Sequence, residues 1–383
     1  MNLSDTINPD AERSLPPRKE VLLGKTLPEL EKICAELGLP SFAPLQIADW
    51  LYVKRVDSFE RMTNISQRSR SLLKEKYRVG KLMPQAQALS QDGTKKYLFH
   101  CTSDEGERTY IETVMIPDRD RTTVCVSSEA GCRMGCRFCM TGRQGFHGRL
   151  SVAQILSQIF FIAEAEELTN VVFMGMGEPL DNLDNVLAAI RILTASWGCG
   201  WSPKRITLST IGVNATDENA DKISPLERFL KESDVHLAIS LHNPFSAERE
   251  SIMPAEHKHP LSKTMEIIRK FDFSGQRRVS FEYIMFEGLN DSKRHADALS
   301  QLLKGLRCRV NLIRFHDIGD TVFKTSSEPV IESFKKRLEA AGVVVTVRAS
   351  RGEDIAAACG MLSGQKRENS FRSNKYRRKL RRR

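Results

Sequence analysis

The run Cys132-Arg-Met-Gly-Cys136-Arg-Phe-Cys139 constrains this chain more than any other stretch. Three thiolates at this spacing can hold three irons of a four-iron cluster and leave the fourth without a protein ligand, open to a substrate. Gly131 and Gly135 let the backbone turn tightly enough for the three sulfurs to converge. The rival is zinc, which in a closed structural site takes four ligands. No fourth Cys or His lies within the next few residues, and the nearest candidate, His147, is eight residues on.

Composition narrows the setting. Of the 383 residues 40% are hydrophobic, which suits a chain burying a large core in two or three domains. Residues 1–20 are polar and Pro-rich, and no apolar run approaches a membrane span, so a cytoplasmic protein with no membrane partner is expected. Nine cysteines without a secretory signal point to reduced thiols in metal or catalytic work. The formal net charge of +10 is uneven: residues 364–383 hold ten Lys and Arg against Glu368 alone. Such a tail cannot bury enough apolar surface to fold by itself. With Phe371 and Tyr376 able to stack on bases, it calls for a polyanionic partner.

Along the chain, Thr26-Leu-Pro-Glu29 reads as a capping box that opens a helix through Leu30, Ile33, Cys34 and Leu37, stopped by Gly38. Helical patterns follow at 43–54 and 67–77. Between 93 and 128 the period changes to two, with strands at 96–100, 110–116 and 123–127, the first two forming a hairpin. From Thr123 onward strands and helices alternate, with strands expected at 124–127, 170–174, 205–210, 235–241, 279–285, 310–315 and 343–348. The clearest helix starts at Ser151, with Val152, Ile155, Leu156 and Ile159 on one face. Alternation of this kind implies a parallel sheet, and the expectation is an α/β fold, an open partial (β/α)6 barrel. The expected organisation is a flexible N-terminus at 1–23, a helical accessory domain at 24–90, a β-hairpin linker at 91–117, the core at 118–363 and a disordered basic tail at 364–383.

The polar residues that look out of place in a core fall at strand C-terminal ends, where such barrels carry their chemistry. Gly175-Met-Gly177-Glu178 follows the second strand, Ser209 ends the third, Ser240-Leu241-His242 ends the fourth, and Asn311 lies within the sixth. The glycine pair lacks the third glycine of a phosphate loop. A Glu after two glycines can instead accept hydrogen bonds from an ammonium group, and the Asn311 amide can read an adenine edge or a ribose.

The three-cysteine motif resembles that of the radical S-adenosylmethionine (SAM) superfamily. Cys125, seven residues before the first ligand, and Cys359, in Asp354-Ile-Ala-Ala-Ala-Cys359-Gly360, narrow the resemblance to the RlmN/Cfr-type adenosine C-methyltransferases. It runs from about residue 24 to about residue 363. The same barrel is implied, with a [4Fe-4S] cluster on Cys132, Cys136 and Cys139, and SAM bound by Gly177, Glu178, Ser209, Ser240, Leu241, His242 and Asn311. Lys54, Arg55, Arg61, Arg68, Arg70, Lys74 and Lys76 suit an accessory domain that helps hold RNA. The implied partners are 23S rRNA, a tRNA, and an electron donor such as flavodoxin or ferredoxin.

The resemblance also implies why two further cysteines are needed. C2 and C8 of adenine are electron-poor, so polar methyl transfer fails there. Cys359 takes a methyl group from one SAM, and a radical generated from a second SAM removes hydrogen from that methyl. The resulting carbon radical adds to the ring, Glu112 accepts the ring proton, and Cys125 releases the product through a transient disulfide with Cys359. Methylation at C2 is expected, with C8 as the alternative. Readings from other classes are a radical SAM activase that never touches RNA, and an RNA-binding protein with a structural metal. Two stretches depart from the family: residues 316–323, which replace a Pro-containing loop, and the long basic tail.

Overall fold

The computed structural model describes residues 19–102, 108–215, 223–273, 279–319 and 321–362. The basic tail lies outside the described residues. The chain divides into two compact units, Met1–Gly80 and Lys81–Arg383.

The first unit is helical. Its helix Leu27–Glu36 begins as its sequence dictates, with the Thr26 backbone N–H donating to the Glu29 carboxylate at 2.7 Å. Leu30, Ile33 and Cys34 are buried, and Gly38 takes the left-handed turn that ends the helix at φ +62°. Helices Ala43–Ala48 and Gln67–Lys76 complete the bundle around Ile47, Tyr52, Met62 and Leu73. The close of the expected flexible segment 1–23 proves ordered. Glu20–Val21 pairs in parallel with Tyr77–Arg78, and Leu22 and Leu23 are buried, because this short apolar run supplies part of the small unit's core. Several of its cations are already matched: Lys54 pairs with Asp49 at 2.6 Å and Arg61 with Asp57 at 3.5 Å.

The second unit holds a ten-stranded sheet whose strands lie side by side in sequence order. They are β1 (Pro84–Leu89), β2 (Lys95–Thr102), β3 (Arg108–Asp118), β4 (Arg121–Cys125), β5 (Asn170–Phe173), β6 (Ile206–Thr210), β7 (His236–Ser240), β8 (Val279–Met285), β9 (Cys308–Arg314) and β10 (Val344–Val347). Strands β1 to β4 pair antiparallel, whereas β4 to β10 are all parallel. Helices cross over between each successive parallel pair, among them Val152–Phe160, Leu183–Thr194 and Glu328–Ala340. The first and last strands do not meet, so the barrel is open.

Two expected boundaries move. The helical unit closes at Gly80 rather than at residue 90, because Pro84–Leu89 is drawn into the sheet by β2. The hairpin expected at 91–117 forms, but as an integral part of the same sheet, since β3 pairs with β4 along its far half. Among the described residues no helix is long and apolar enough to cross a membrane.

One side chain fixes the first crossover helix to the strands that feed the cysteine loop. Ser151 caps this helix, with its N–H bonded to Gln154 Oε1 at 2.8 Å. From the last turn, fully buried Gln158 accepts the Thr113 hydroxyl at 2.7 Å and the Ser127 N–H at 2.8 Å, and donates to the Ser127 carbonyl at 2.9 Å. Gln158→Leu strands these groups in the interior, where each unmet bond costs about 1–3 kcal/mol. A clear drop in the urea midpoint of unfolding is expected, with the helix content of the folded state unchanged by circular dichroism.

Candidate active site

The cysteine loop leaves the short strand Glu129–Gly131, which pairs antiparallel with Phe146–Arg149. Gly131 is indispensable there: at φ +74°, an added Cβ would fall 2.0 Å from the Gly145 carbonyl oxygen. The Cys132 N–H bonds that same oxygen at 2.8 Å, and the Arg137 N–H bonds the Ile252 carbonyl at 2.9 Å. Cys132 is buried, and Cys136 and Cys139 are half-buried. Burial first, and then the neighbouring thiols, raise all three above the usual thiol range, Cys136 to about 12. Clustered, desolvated thiols of this kind are poor as free acids and give up their protons to iron. Among the described residues no three of His, Cys, Asp and Glu gather so as to hold one metal ion, and His147 is exposed. A cubane instead offers three separate irons to three separate sulfurs.

Gly175 to Glu178 lie against the end of the first parallel strand. A Cβ on Gly175 would stand 2.7 Å from the Val126 carbonyl carbon, and one on Gly177 (φ +95°) 2.5 Å from Glu129 Cβ. Glu178 is buried; its carboxylate accepts the N–H groups of Leu180 and Ile211, each at 3.0 Å. Burial raises its pKa to about 7 despite these bonds. Beside it Glu129, fully buried, accepts the Glu178 N–H at 2.9 Å and keeps Oε1 without a partner. Burial, together with Asp181 and Glu178, also raises Glu129. A buried acidic pair with an unfilled acceptor suits an ammonium group, as the amino end of SAM requires. Glu129 escaped the sequence reading; nothing in Ser127-Ser-Glu129 marks it as buried.

The next strands present a polar layer. The Ser209 and Ser240 hydroxyls are 3.5 Å apart, and Asn311 Nδ2 donates to buried Glu282 at 2.7 Å. Glu282 also pairs with Arg348 at 3.3 Å. Leu241 is fully buried, its N–H and carbonyl engaged by Glu282 and Arg249, so any ligand contact it makes is one of van der Waals packing. His242, at φ +57°, packs edge-on against Phe138 of the cysteine loop with ring centroids 5.0 Å apart. Its Nδ1 accepts the Ile284 N–H at 3.1 Å. Arg249, fully buried and ion-paired with Glu256, ties together the carbonyls of Ile211, Ser240 and Leu241.

Cys125 and Cys359 face one cavity. Both line a cavity of about 400 Å³ together with Cys139, Met174, Gly175 and Arg348. Cys125 is buried and Cys359 exposed; burial, then the Cys359 sulfur, pushes Cys125 up to about 12. Glu112 does not line this cavity but lies on its side of β3, where Val114 and Ile116 do, since alternate Thr113 points to Gln158. It is fully buried and paired with Lys96 at 3.0 Å.

An open parallel barrel with a three-cysteine loop beyond its first parallel strand is the architecture of radical SAM enzymes, and the radical SAM superfamily model matches residues 126–299. The model of the ribosomal RNA large subunit methyltransferase N-terminal domain matches residues 21–79. A Porphyromonas gingivalis protein described as a probable dual-specificity RNA methyltransferase RlmN is 54% identical over 92% of this chain and 96% of its own. The dual-specificity RNA methyltransferase RlmN of Syntrophus aciditrophicus is 40% identical over 90% of this chain and 97% of its own. The crystal structure of a radical SAM methyltransferase from Sphaerobacter thermophilus superposes with a TM-score of 0.81 at 36% identity, covering 90% of this chain and all of that one. The chain belongs to the RlmN family of radical SAM RNA methyltransferases, which use a [4Fe-4S] cluster and SAM.

The histidine beside the cysteine loop yields a pH prediction. Burial, then the Arg249 charge, lowers the His242 pKa from 6.5 to about 3. A base that stays neutral when folded but takes a proton when unfolded gives stability that is present above pH 6.5 and lost as the pH falls toward 3. His242→Asn, which tolerates the left-handed backbone, is expected to make this acid-side fall in melting temperature shallower while lowering the melting temperature at neutral pH.

Proposed function

We propose that this enzyme methylates C2 of an adenosine in 23S rRNA and of an adenosine in a tRNA anticodon loop, working in the cytoplasm through a methylated Cys359 and a transient Cys125–Cys359 disulfide. The observation that carries this reading is the shared cavity of Cys125, Cys359 and Cys139. Two cysteines from opposite ends of the barrel sequence have no structural reason to share a cavity beside the three-cysteine loop. The names of the RlmN relatives support the dual RNA substrate.

Cys132, Cys136 and Cys139 would hold the cluster, which would supply the electron for reductive cleavage of SAM. Glu178 and Glu129 receive the ammonium end of SAM, and Ser209, Ser240 and Asn311 its polar remainder. The exposed Cys359 sulfur takes the methyl group and presents it to RNA. Buried Cys125 stays a thiol until release. It then loses its proton and attacks the Cys359 sulfur, and the S–S bond forms as the S–C bond breaks. The bonding pair leaves with carbon, which takes a proton and remains on adenine as methyl. A two-electron thiol reductant resets the pair, and a flavodoxin or ferredoxin serves the cluster.

Mass spectrometry of Cys359 in cluster-replete protein tests the reading. A methyl on Cys359, with RNA covalently retained by Cys125→Ala, supports it. An unmodified Cys359 and no retained RNA would sink it, and 8-methyladenosine as the sole nucleoside product would overturn the C2 assignment. Removal of residues 364–383, with their ten basic residues against Glu368, should weaken RNA binding and flatten its dependence on salt. An unchanged slope would remove the tail from the RNA contact.

A further inference from the structure

The loop that carries Cys359 is fastened to the antiparallel side of the sheet. The Ser90 hydroxyl donates to Asp354 Oδ1 at 2.5 Å, the Gln91 N–H to Asp354 Oδ2 at 3.1 Å, and the Gly352 N–H to Asp92 Oδ2 at 2.9 Å. At the inner end of this seam lies Lys96, only 3% exposed. Its ammonium makes two contacts of different kinds: an ion pair to Glu112 at 3.0 Å and a hydrogen bond to the Ala356 carbonyl at 3.2 Å. Ala356 is one of the few non-glycine residues with positive φ, +52°, and lies three residues before Cys359.

A carboxylate in this position faces a physical conflict. Glu112 is 1% exposed. A carboxyl group taken that far from water holds its proton unless a cation compensates, and a protonated Glu cannot accept another. We propose that Lys96 is a positioning residue for the release step: it keeps buried Glu112 ionised as proton acceptor and, through the Ala356 carbonyl, holds the Cys359 loop in register with it. This rests on the reading that Glu112 accepts the adenine proton. The step governed is the proton transfer: the ring C–H bond breaks, its electron pair stays in the ring and the proton ends on Glu112, while the unpaired electron left by radical addition would pass back to the oxidised cluster, the one-electron acceptor that the family's chemistry supplies.

The groups that bear on Glu112 can be named element by element. Lys96 and, one step further along the same face, His100 come from β2, and Tyr110 from β3 itself. Cys125 comes from β4, Glu178 from the turn whose Met176 Sδ accepts the Glu112 N–H at 3.4 Å, and Glu353, Asp354 and Cys359 from the fastened loop. Lys96 supplies the cation in ion-pair contact. Its removal takes an ion-pair partner from a carboxylate held out of water.

The experiment follows Cys359 methylation by SAM and then, in a single turnover, release of the RNA adduct from the methylated full-length enzyme, for wild type, Lys96→Met, Lys96→Met with Glu112→Gln, and Asp354→Ala. In Lys96→Met, which loses only the Ala356 bond from the loop, methylation of Cys359 should slow no more than in Asp354→Ala, while the covalent RNA adduct builds up at least tenfold over wild type near neutral pH. Release should recover as the pH is raised to about 9, relative to the wild-type profile, which contains the contribution of Cys125. The double variant, with no buried charge left to destabilise it, should hold the adduct at every pH. Asp354→Ala, which loosens the loop without touching the ion pair, should slow methylation and release together with no recovery. A Lys96→Met enzyme that slows both steps alike, or shows no recovery with pH, would overturn the proposal. Retention of RNA by Cys125→Ala in the same assay tells that outcome apart from failure of the underlying mechanism.

Discussion

Everything at this active site depends on how closely two segments without side-chain bulk can approach. Gly175 and Gly177 bring the exit of β5 against the exit of β4 at distances no Cβ permits. The seam then closes with hydrogen bonds: the N–H groups of Ser128 and Glu129 both reach the Met176 carbonyl, at 2.9 and 3.2 Å, and the Met176 N–H reaches the Ser127 hydroxyl at 2.9 Å. The first parallel strand is thereby carried rigidly past its last ladder pair, and the cysteine loop departs from a fixed point. The loop, the acidic pair and Cys125 are aligned by this one contact.

The seam also decides which charges survive. Glu129 and Glu178 are forced together out of water, and burial raises both, so at neutral pH this corner carries less negative charge than its composition implies. A cationic ligand restores the charge it needs on arrival. Two cations are treated differently: buried Arg249 is spent on three carbonyls and Glu256, whereas half-buried Arg348 reaches from Glu282 to the cavity that Cys125 and Cys359 line.

The parallel strands were legible because a strand buried on both faces reads as an apolar run. Val279–Met285 falls on the expected residues, and Ser151 caps its helix as the sequence implies. Pro84–Leu89 was not legible, since a run of Gln and Ala has little strand preference of its own and becomes one only through a partner elsewhere in the chain. Nor was Arg249, which sits between Glu248 and Glu250 in a short helix with nothing to distinguish it from solvated neighbours. For Lys96 and Glu112, period-two alternation marks a common face but not what covers it. Cys125 and Cys359 stood out by resemblance alone; the cavity they share is a product of tertiary folding.

The two sulfurs are mounted unequally. Cys125 is set in a strand hydrogen-bonded on both flanks, opposite Val114 on one side and Val172 on the other. Cys359 rides beyond a short turn bounded by two left-handed residues, Gly352 and Ala356. One is an anvil and the other a strap. Were the sulfurs to join as proposed, the strap is the side with no strand ladder to hold it back, and the oxidation state of the pair would be written into the position of a single segment. On that proposal an oxidised molecule would have its strap pinned, and reduction would be a mechanical unlocking as well as a chemical reset.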